Sequence, residues 1–383
     1  MRRVLIAWLF LAGSALAQTS STLCQATAPL GDPVERQLIG CGEGFAENLL
    51  WHLDRADSVT GALDTKVTRT LTGRGAVIYV IDSGVMAAHD EFARATGSNV
   101  IAGIQWFTSP SCPNSATSPC WGSNLSLLPL AGHGTGVASV AAGRHTGIAP
   151  DASIVSVTPS PGNTTDYKRI LQLIIDHAFA PQTPAFRTAV ISISSGPPLT
   201  TPRDAALDAL MVRMTTGVDA AGNADPNGKR FLFVAAAGNY YDGQGNQCGP
   251  DDAVILHPAI LGRATEGIIA VGGIDRDNHY WAGACKGELV EMAAPAPGMF
   301  VASISSTDAY RFRPTFGLSG TSWSTPYVSG MAALWLERYP YLTPAQLESL
   351  LAASPSRVDG IPVPVMPDSD PGPAGPRRRA ARH

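Results

Sequence analysis

Four polar residues stand at the ends of apolar runs, where chemistry would need them. Asp82 follows Val80-Ile81 and precedes Ser83-Gly84, and His133 opens Gly134-Thr135-Gly136-Val137-Ala138. Asn239 follows Ala236-Ala237-Gly238, and Ser322 lies within Gly320-Thr321-Ser322-Trp323-Ser324-Thr325-Pro326. Each alone has an ordinary structural reading: an Asp after a strand caps a turn, a His among glycines is a polar loop residue, and a Ser at a helix start is an N-cap. Together they supply a hydroxyl nucleophile, a base for its proton, and a carboxylate that fixes the tautomer of that base. The amide of Asn239 adds a donor for a developing oxyanion, and a helix starting at Ser322 adds free N–H groups and the positive end of its dipole.

Residues so far apart in sequence need a framework that gathers them at one edge. The runs 76–81, 152–157, 189–194, 231–237 and 267–271 are almost continuous Val, Ile and Ala, as in parallel strands covered on both faces. Segments 168–180 and 205–214 carry apolar residues at helical spacing, and the helix opened by His133 ends near Gly143. Thr343-Pro344-Ala345-Gln346 is a capping box with Pro at the first helical position, starting a helix to about residue 353. The alternation predicts an α/β fold, a three-layer sandwich with a mostly parallel central sheet flanked by helices. In such sheets the carboxyl ends of the strands bring distant residues into one cleft.

On these motifs the sequence resembles the subtilisin-like serine peptidases, the subtilase or S8 family. Asp82-Ser83-Gly84, His133-Gly134-Thr135, Gly238-Asn239 and Gly320-Thr321-Ser322 with Pro326 come in the family's order, with Gly147-Ile148-Ala149-Pro150 and Ala293-Ala294-Pro295 between them. Trp51-His52-Leu53-Asp54-Arg55 is similar to the start of a proteinase K-type mature enzyme, and the resemblance covers roughly 49–353. It implies a secreted serine endopeptidase acting on protein or peptide substrates as a monomer. Catalysis would run through Asp82, His133 and Ser322 with an acyl-enzyme intermediate, Asn239 in the oxyanion hole, and no cofactor required for the chemistry. It also implies that Ser194, Ser195 and Gly196 bind substrate backbone, with the opposite cleft edge at 161–164, including Gly162.

Ala235, Ala236 and Gly238, with no acid nearby, fit a roomy pocket and a broad preference for apolar or aromatic P1 side chains, and they fit plain sheet packing equally. Three departures stand out: Ser195 where the family often has a larger apolar residue, and Trp323 and Tyr327 where Met and His are commoner. The family's inhibitory propeptide finds no room between Ala17 and Asp82, so no large size change on maturation is expected. Asp275 stands where some relatives have a calcium carboxylate. Asn223-Ala224-Asp225-Pro226-Asn227-Gly228 has the oxygen rhythm of a calcium loop, but no Glu follows at the twelfth position, and a polar hairpin explains it as well. Structural calcium is thus an open expectation with Asp225 and Asp275 as its candidates.

Composition narrows the remaining classes. The chain has 383 residues, 45% hydrophobic and 15% charged, with net charge −4, 39 Gly and 30 Pro, which describes a folded, loop-rich protein without the basic face of a nucleic-acid binder. Residues 1–17 read as a secretory signal: Arg2 and Arg3, an apolar run over 4–12, then Ala15-Leu16-Ala17. That run is about half of the roughly 20 residues a membrane span needs. All six cysteines (Cys24, Cys41, Cys112, Cys120, Cys248, Cys285) lie beyond the signal, and sequence proximity favours pairing them in that order among the 15 possible connectivities. The expected organisation is a signal over 1–17, a short Cys-containing extension over 18–48, the catalytic domain over 49–353, and a Pro-rich tail over 354–383. That tail ends in Arg377-Arg378-Arg379 and Arg382, and fits a solvated disordered end better than a tether. An α/β-hydrolase esterase is excluded by the lack of G-x-S-x-G, and a phosphate loop over 222–229 by its spacing.

Overall fold

The computed structural model describes residues 21–23, 34–37, 40–41, 50–105, 132–158, 164–196, 204–240, 247–302, 311–314 and 319–368. Seven strands form one parallel sheet: β1 (Val77–Ile81), β2 (Val100–Gln105), β3 (Ser153–Thr158), β4 (Thr188–Ile193), β5 (Arg230–Ala236), β6 (Ile268–Ile274) and β7 (Met292–Pro295). Their order across the sheet is β7-β6-β5-β4-β1-β3-β2. The chain runs from β1 to the β2 edge and back, then crosses to β4 and proceeds the other way. The reversal opens a crevice at the carboxyl ends of β1 and β4, the place where such sheets bind ligands.

Every residue of β1, β4 and β6 is buried, which is why these segments read as unbroken apolar runs rather than alternating ones. Alternate side chains still sort to two faces. Ile78, Val80, Val190, Leu232, Val234, Ile269 and Val271 share one core with α2 (Gly132–Ala142), α5 (Thr321–Arg338) and α6 (Pro344–Ala352). Tyr79, Ile81, Ile191, Phe231, Phe233 and Ala270 share the other with α3 (Thr164–Phe179) and α4 (Ala205–Thr216). The chain is therefore the three-layer α/β sandwich its sequence predicts. Helix α5 is buried on nearly every side, as a helix packed between the sheet and its neighbours must be. At α6, Thr343 Oγ1 accepts from Gln346 N (3.3 Å) while Gln346 Oε1 accepts from Thr343 N (2.9 Å), completing the capping box.

Two expected boundaries move. Helix α3 begins at Thr164, four residues before the expected start at 168. The expectation of a solvated tail from residue 354 is corrected: the chain stays in the fold to Asp368. Strands Arg357–Val358 and Ile361–Pro362 pair as a hairpin, and Val363, Val365 and Met366 are buried. Tyr327 Oη donates to Pro364 O (3.0 Å), Met366 N to Ala56 O (2.7 Å) and Arg338 Nη1 to Pro367 O (2.8 Å).

Before the domain, short strands Ser21–Leu23 and Val34–Gln37 pair antiparallel with Arg311–Pro314 and Lys66–Arg69. The proteinase K-like run Trp51–Asp57 is α1, buried over most of its length. The signal over 1–17, the end over 369–383, Gly162, and Cys24, Cys112 and Cys120 lie outside the described residues, as does the side chain of Cys41. No described helix is long and apolar enough to cross a membrane.

Candidate active site

Asp82 is the first residue after β1, and its N–H still donates to Val157 O (2.9 Å), which holds it in line with the strand. Both its carboxylate oxygens lie 2.9 Å from His133 Nδ1. The carboxylate is buried, its side chain 3% exposed, while the imidazole is 42% exposed toward the cleft. His133 reaches Asp82 because α2 starts almost on top of β1. A Cβ on Gly134 would collide with the carbonyl oxygen of Gly84, so only glycine allows the approach. Gly134 N then donates to Ser83 Oγ (3.0 Å), and Met86 N to Thr135 Oγ1 (2.9 Å), locking the strand end to the helix start. Past the far end of α2, buried Glu91 accepts from His145 Nδ1 (2.6 Å), from the N–H groups of His145 and Thr146 (both 3.1 Å) and from Thr146 Oγ1 (3.0 Å).

Burial pulls the pKa of His133 down, and the charge and hydrogen bonds of Asp82 together outweigh it, leaving the imidazole above its ordinary 6.5. Bonding of Nδ1–H to the carboxylate leaves the lone pair on Nε2, the tautomer a general base requires. On the other side of the ring lies Trp323, its ring centroid 5.1 Å from that of His133 at 42°.

Ser322 is the second residue of α5, so its N–H has no intrahelical acceptor and points toward the cleft with the helix dipole behind it. Its Oγ donates to Ser194 O (3.2 Å), while Ser194 Oγ donates to Ser322 O (2.9 Å). Pro326 explains the second bond. Four residues after Ser322, it has no N–H to offer the Ser322 carbonyl, and the Ser194 hydroxyl fills that role. The Ser-x-x-x-Pro spacing thus frees a carbonyl that ties the end of β4 to the start of α5.

Asn239 lies just past β5, after Gly238, whose φ of +106° favours glycine. Its Oδ1 accepts from Thr321 N (2.8 Å) and Thr321 Oγ1 (3.1 Å), and Thr321 Oγ1 accepts from Gly238 N (3.3 Å). The amide nitrogen is thereby turned away from Thr321, and Nδ2 donates to Gln247 Oε1 (3.2 Å). Cys248, the next residue, is disulfide-bonded to Cys285. Asp82, His133, Ser322 and Asn239 are therefore carried by the carboxyl ends of β1 and β5, which flank β4 in the sheet, and by the starts of α2 and α5.

Of the remaining sequence candidates, Ser194, Ser195 and Gly196 follow β4 beside Ser322, with Ser195 exposed and bonded to the Tyr167 hydroxyl. Asp225 and Asp275 each serve their own turns: Asp225 Oδ1 accepts from Asn227 N (2.9 Å), and Asp275 Oδ1 from Asp277 N (3.0 Å) and His279 N (2.9 Å). Among the described residues, no three His, Cys, Asp or Glu side chains are grouped to hold a metal ion. Sequence reasoning missed Gln247, Tyr167 and the ring contact of Trp323. Only Trp323 carried a signal, as an aromatic residue beside the serine.

A scan against family models matches residues 73–365 to the Subtilase family of S8 peptidases. An extracellular serine proteinase from Thermus sp. (strain Rt41A) is 30% identical over 79% of this chain and 60% of its own length. The subtilisin-like protease PopC of Myxococcus xanthus (strain DK1622) is 29% identical over 74% of this chain and 56% of its own. The chain thus spans about 60% of the length of such relatives. Among solved structures, a cold-adapted subtilisin-like serine proteinase matches with a TM-score of 0.57 and 25% identity, covering 84% of this chain and 98% of that one. With four motifs at one sheet edge and a family match over most of its length, the chain belongs to the subtilase family.

Proposed function

We propose that the protein is a secreted serine endopeptidase that cleaves peptide bonds through an acyl-enzyme. The observation that carries this reading is the pairing of His133 Nδ1 with both oxygens of Asp82, at 2.9 Å each, with the ring of Trp323, the residue after Ser322, against the imidazole.

In this mechanism substrate enters the crevice and Ser322 Oγ leaves the Ser194 carbonyl for the Nε2 lone pair of His133. The hydroxyl attacks the scissile carbonyl as His133 takes its proton, and Asp82 stabilises the imidazolium that forms. Negative charge collects on the carbonyl oxygen, where the Ser322 N–H and the free hydrogen of Asn239 Nδ2 receive it. His133 passes its proton to the leaving amine, and water repeats the sequence to release the acid. Ser194, Ser195 and Gly196 supply an extended edge for the substrate backbone. Small Ala235, Ala236 and Gly238 beside it suit apolar or aromatic P1 side chains and offer no acid to a basic one. Export is supported by the signal-like start and by relatives named extracellular.

Ser322→Ala should abolish peptide hydrolysis and labelling by a fluorophosphonate while leaving the melting temperature nearly unchanged. In subtilisin itself, loss of the nucleophile costs about 10⁶ in kcat. Hydrolysis by Ser322→Ala at the parental rate would overturn the assignment.

A further inference from the structure

The Asn239 amide has four hydrogen-bonding positions, and the structure accounts for three. Both lone pairs of Oδ1 are taken by Thr321 N and Thr321 Oγ1, at 2.8 and 3.1 Å. One Nδ2 hydrogen goes to Gln247 Oε1 at 3.2 Å, which leaves the other hydrogen for the cleft. The same Gln247 oxygen also accepts from the Asn239 backbone N–H (3.3 Å), and Gln247 N donates to Asn239 O (3.0 Å). Gln247 therefore grips both the backbone and the side chain of the residue it faces.

Its own support is covalent. Cys248 is joined to Cys285, whose N–H donates to Gly238 O (3.0 Å), and Tyr240 N donates to Gly283 O (2.8 Å). Residues 238–240 are thus held between Gln247-Cys248 on one side and 283–285 on the other. Turning the Asn239 amide over would set its NH₂ against the Thr321 N–H and its oxygen against Gln247 Oε1, two repulsions in place of two bonds.

We propose that Gln247 is a positioning residue for the oxyanion donor, holding the Asn239 amide so that one Nδ2 hydrogen is aimed at the developing oxyanion. The inference rests on the proposed role of Asn239. Gln247 lies at the surface, and replacing an exposed polar side chain changes stability little, so a kinetic effect would report orientation. Because the oxyanion exists only beyond the ground state, kcat should fall and KM should not.

The test compares Gln247→Leu, which keeps the bulk and removes the acceptor, with Gln247→Ala, which removes it without adding apolar surface, each in the parent and in Asn239→Ala. In the parent both are expected to lower kcat about fivefold to tenfold, the size of one neutral hydrogen bond. The Ki of a peptide aldehyde, which forms a tetrahedral adduct, should rise by the same factor at unchanged KM. In Asn239→Ala neither substitution should matter, because the two residues act as one unit. Unchanged kcat in both Gln247 variants, a loss confined to KM, or an undiminished loss in Asn239→Ala would overturn the proposal. If Asn239→Ala itself keeps parental kcat, the oxyanion reading falls and the proposal with it. A large loss in Asn239→Ala beside unchanged Gln247 variants would leave that reading standing and overturn the proposal alone.

Discussion

Glu291 and Glu348 form a carboxyl pair that links α6 to the sheet, and they make stability fall with rising pH. Glu291 precedes β7 and accepts from Ala270 N (3.0 Å) on β6, while Glu348 on α6 accepts from Gly267 N and is hydrogen-bonded to Glu291. Two carboxyls in contact share a proton readily and two carboxylates do not. Burial first, and then the charge of Glu348, push Glu291 up to about 7 from an ordinary 4.5, and Glu266 adds repulsion on Glu348. Below 4.5 the folded and unfolded chains both hold the Glu291 proton. Between 4.5 and 7 only the folded chain holds it, so stability is lost as pH rises and the loss levels off above 7. At about 1.4 kcal/mol per pH unit for one proton, and trimmed for partial solvent access, the loss between pH 5 and 9 is about 2 kcal/mol.

Glu291→Gln keeps the shape of the neutral acid: its oxygen can accept from Ala270 N and its NH₂ can donate to Glu348. In a Ser322→Ala background, which cannot digest itself, Glu291→Gln should melt with its parent at pH 5 and about 4 °C above it at pH 9. Circular dichroism melts every half unit would trace the divergence. Two parallel curves, or a variant destabilised equally at every pH, would refute the shared proton. Activity should be unchanged, since the pair sits at the amino ends of β6 and β7 whereas the site is built at the carboxyl ends of β1, β4 and β5.

Two further outcomes follow from the surroundings of His133. Its raised pKa means that the base stays protonated to a higher pH than a free imidazole, so kcat/KM should decline on acidification with a midpoint above the ordinary 6.5. A pH–rate profile on a peptide anilide checks this, and a midpoint well below 6.5 would contradict the Asp82 contribution. Trp323→Leu should lower kcat about threefold to tenfold and shift that midpoint to lower pH, because an aromatic face within about 6 Å favours the imidazolium. Trp323→Phe should keep most of both. Equal effects of Leu and Phe would mean that Trp323 acts by volume alone.

The strands and the four motif residues were legible because each is required locally. Gly134 lets α2 approach Gly84, Gly238 adopts a φ that favours glycine, and Pro326 releases the Ser322 carbonyl to Ser194. Spacing within one motif encodes contacts of that kind. The stretch after residue 353 misleads for the opposite reason. Ile361-Pro362-Val363-Pro364-Val365 alternates apolar and Pro residues; its proline content suggests a solvated tail, while Val363 and Val365 are buried and Pro364 O accepts from Tyr327.

Gln247 and Glu348 show where reading a single sequence runs out. Gln247 meets Asn239 across eight residues, and Glu348 meets Glu291 across fifty-seven, so neither pair leaves a periodic trace. Folding decides their chemistry by what it sets beside them. A glutamine on the surface becomes the third partner of an amide whose oxygen already accepts two hydrogen bonds, and a glutamate on a helix becomes half of a shared-proton pair. The residues that perform the proposed chemistry are named by motif, because the nucleophile, base and donor each need a fixed local backbone. The residues that aim them and tie the framework together need only proximity, and a three-dimensional sheet supplies proximity without a local signature. That division explains why replacing Gln247, inconspicuous in the sequence, should weaken turnover when Asn239 is present and do nothing when it is absent.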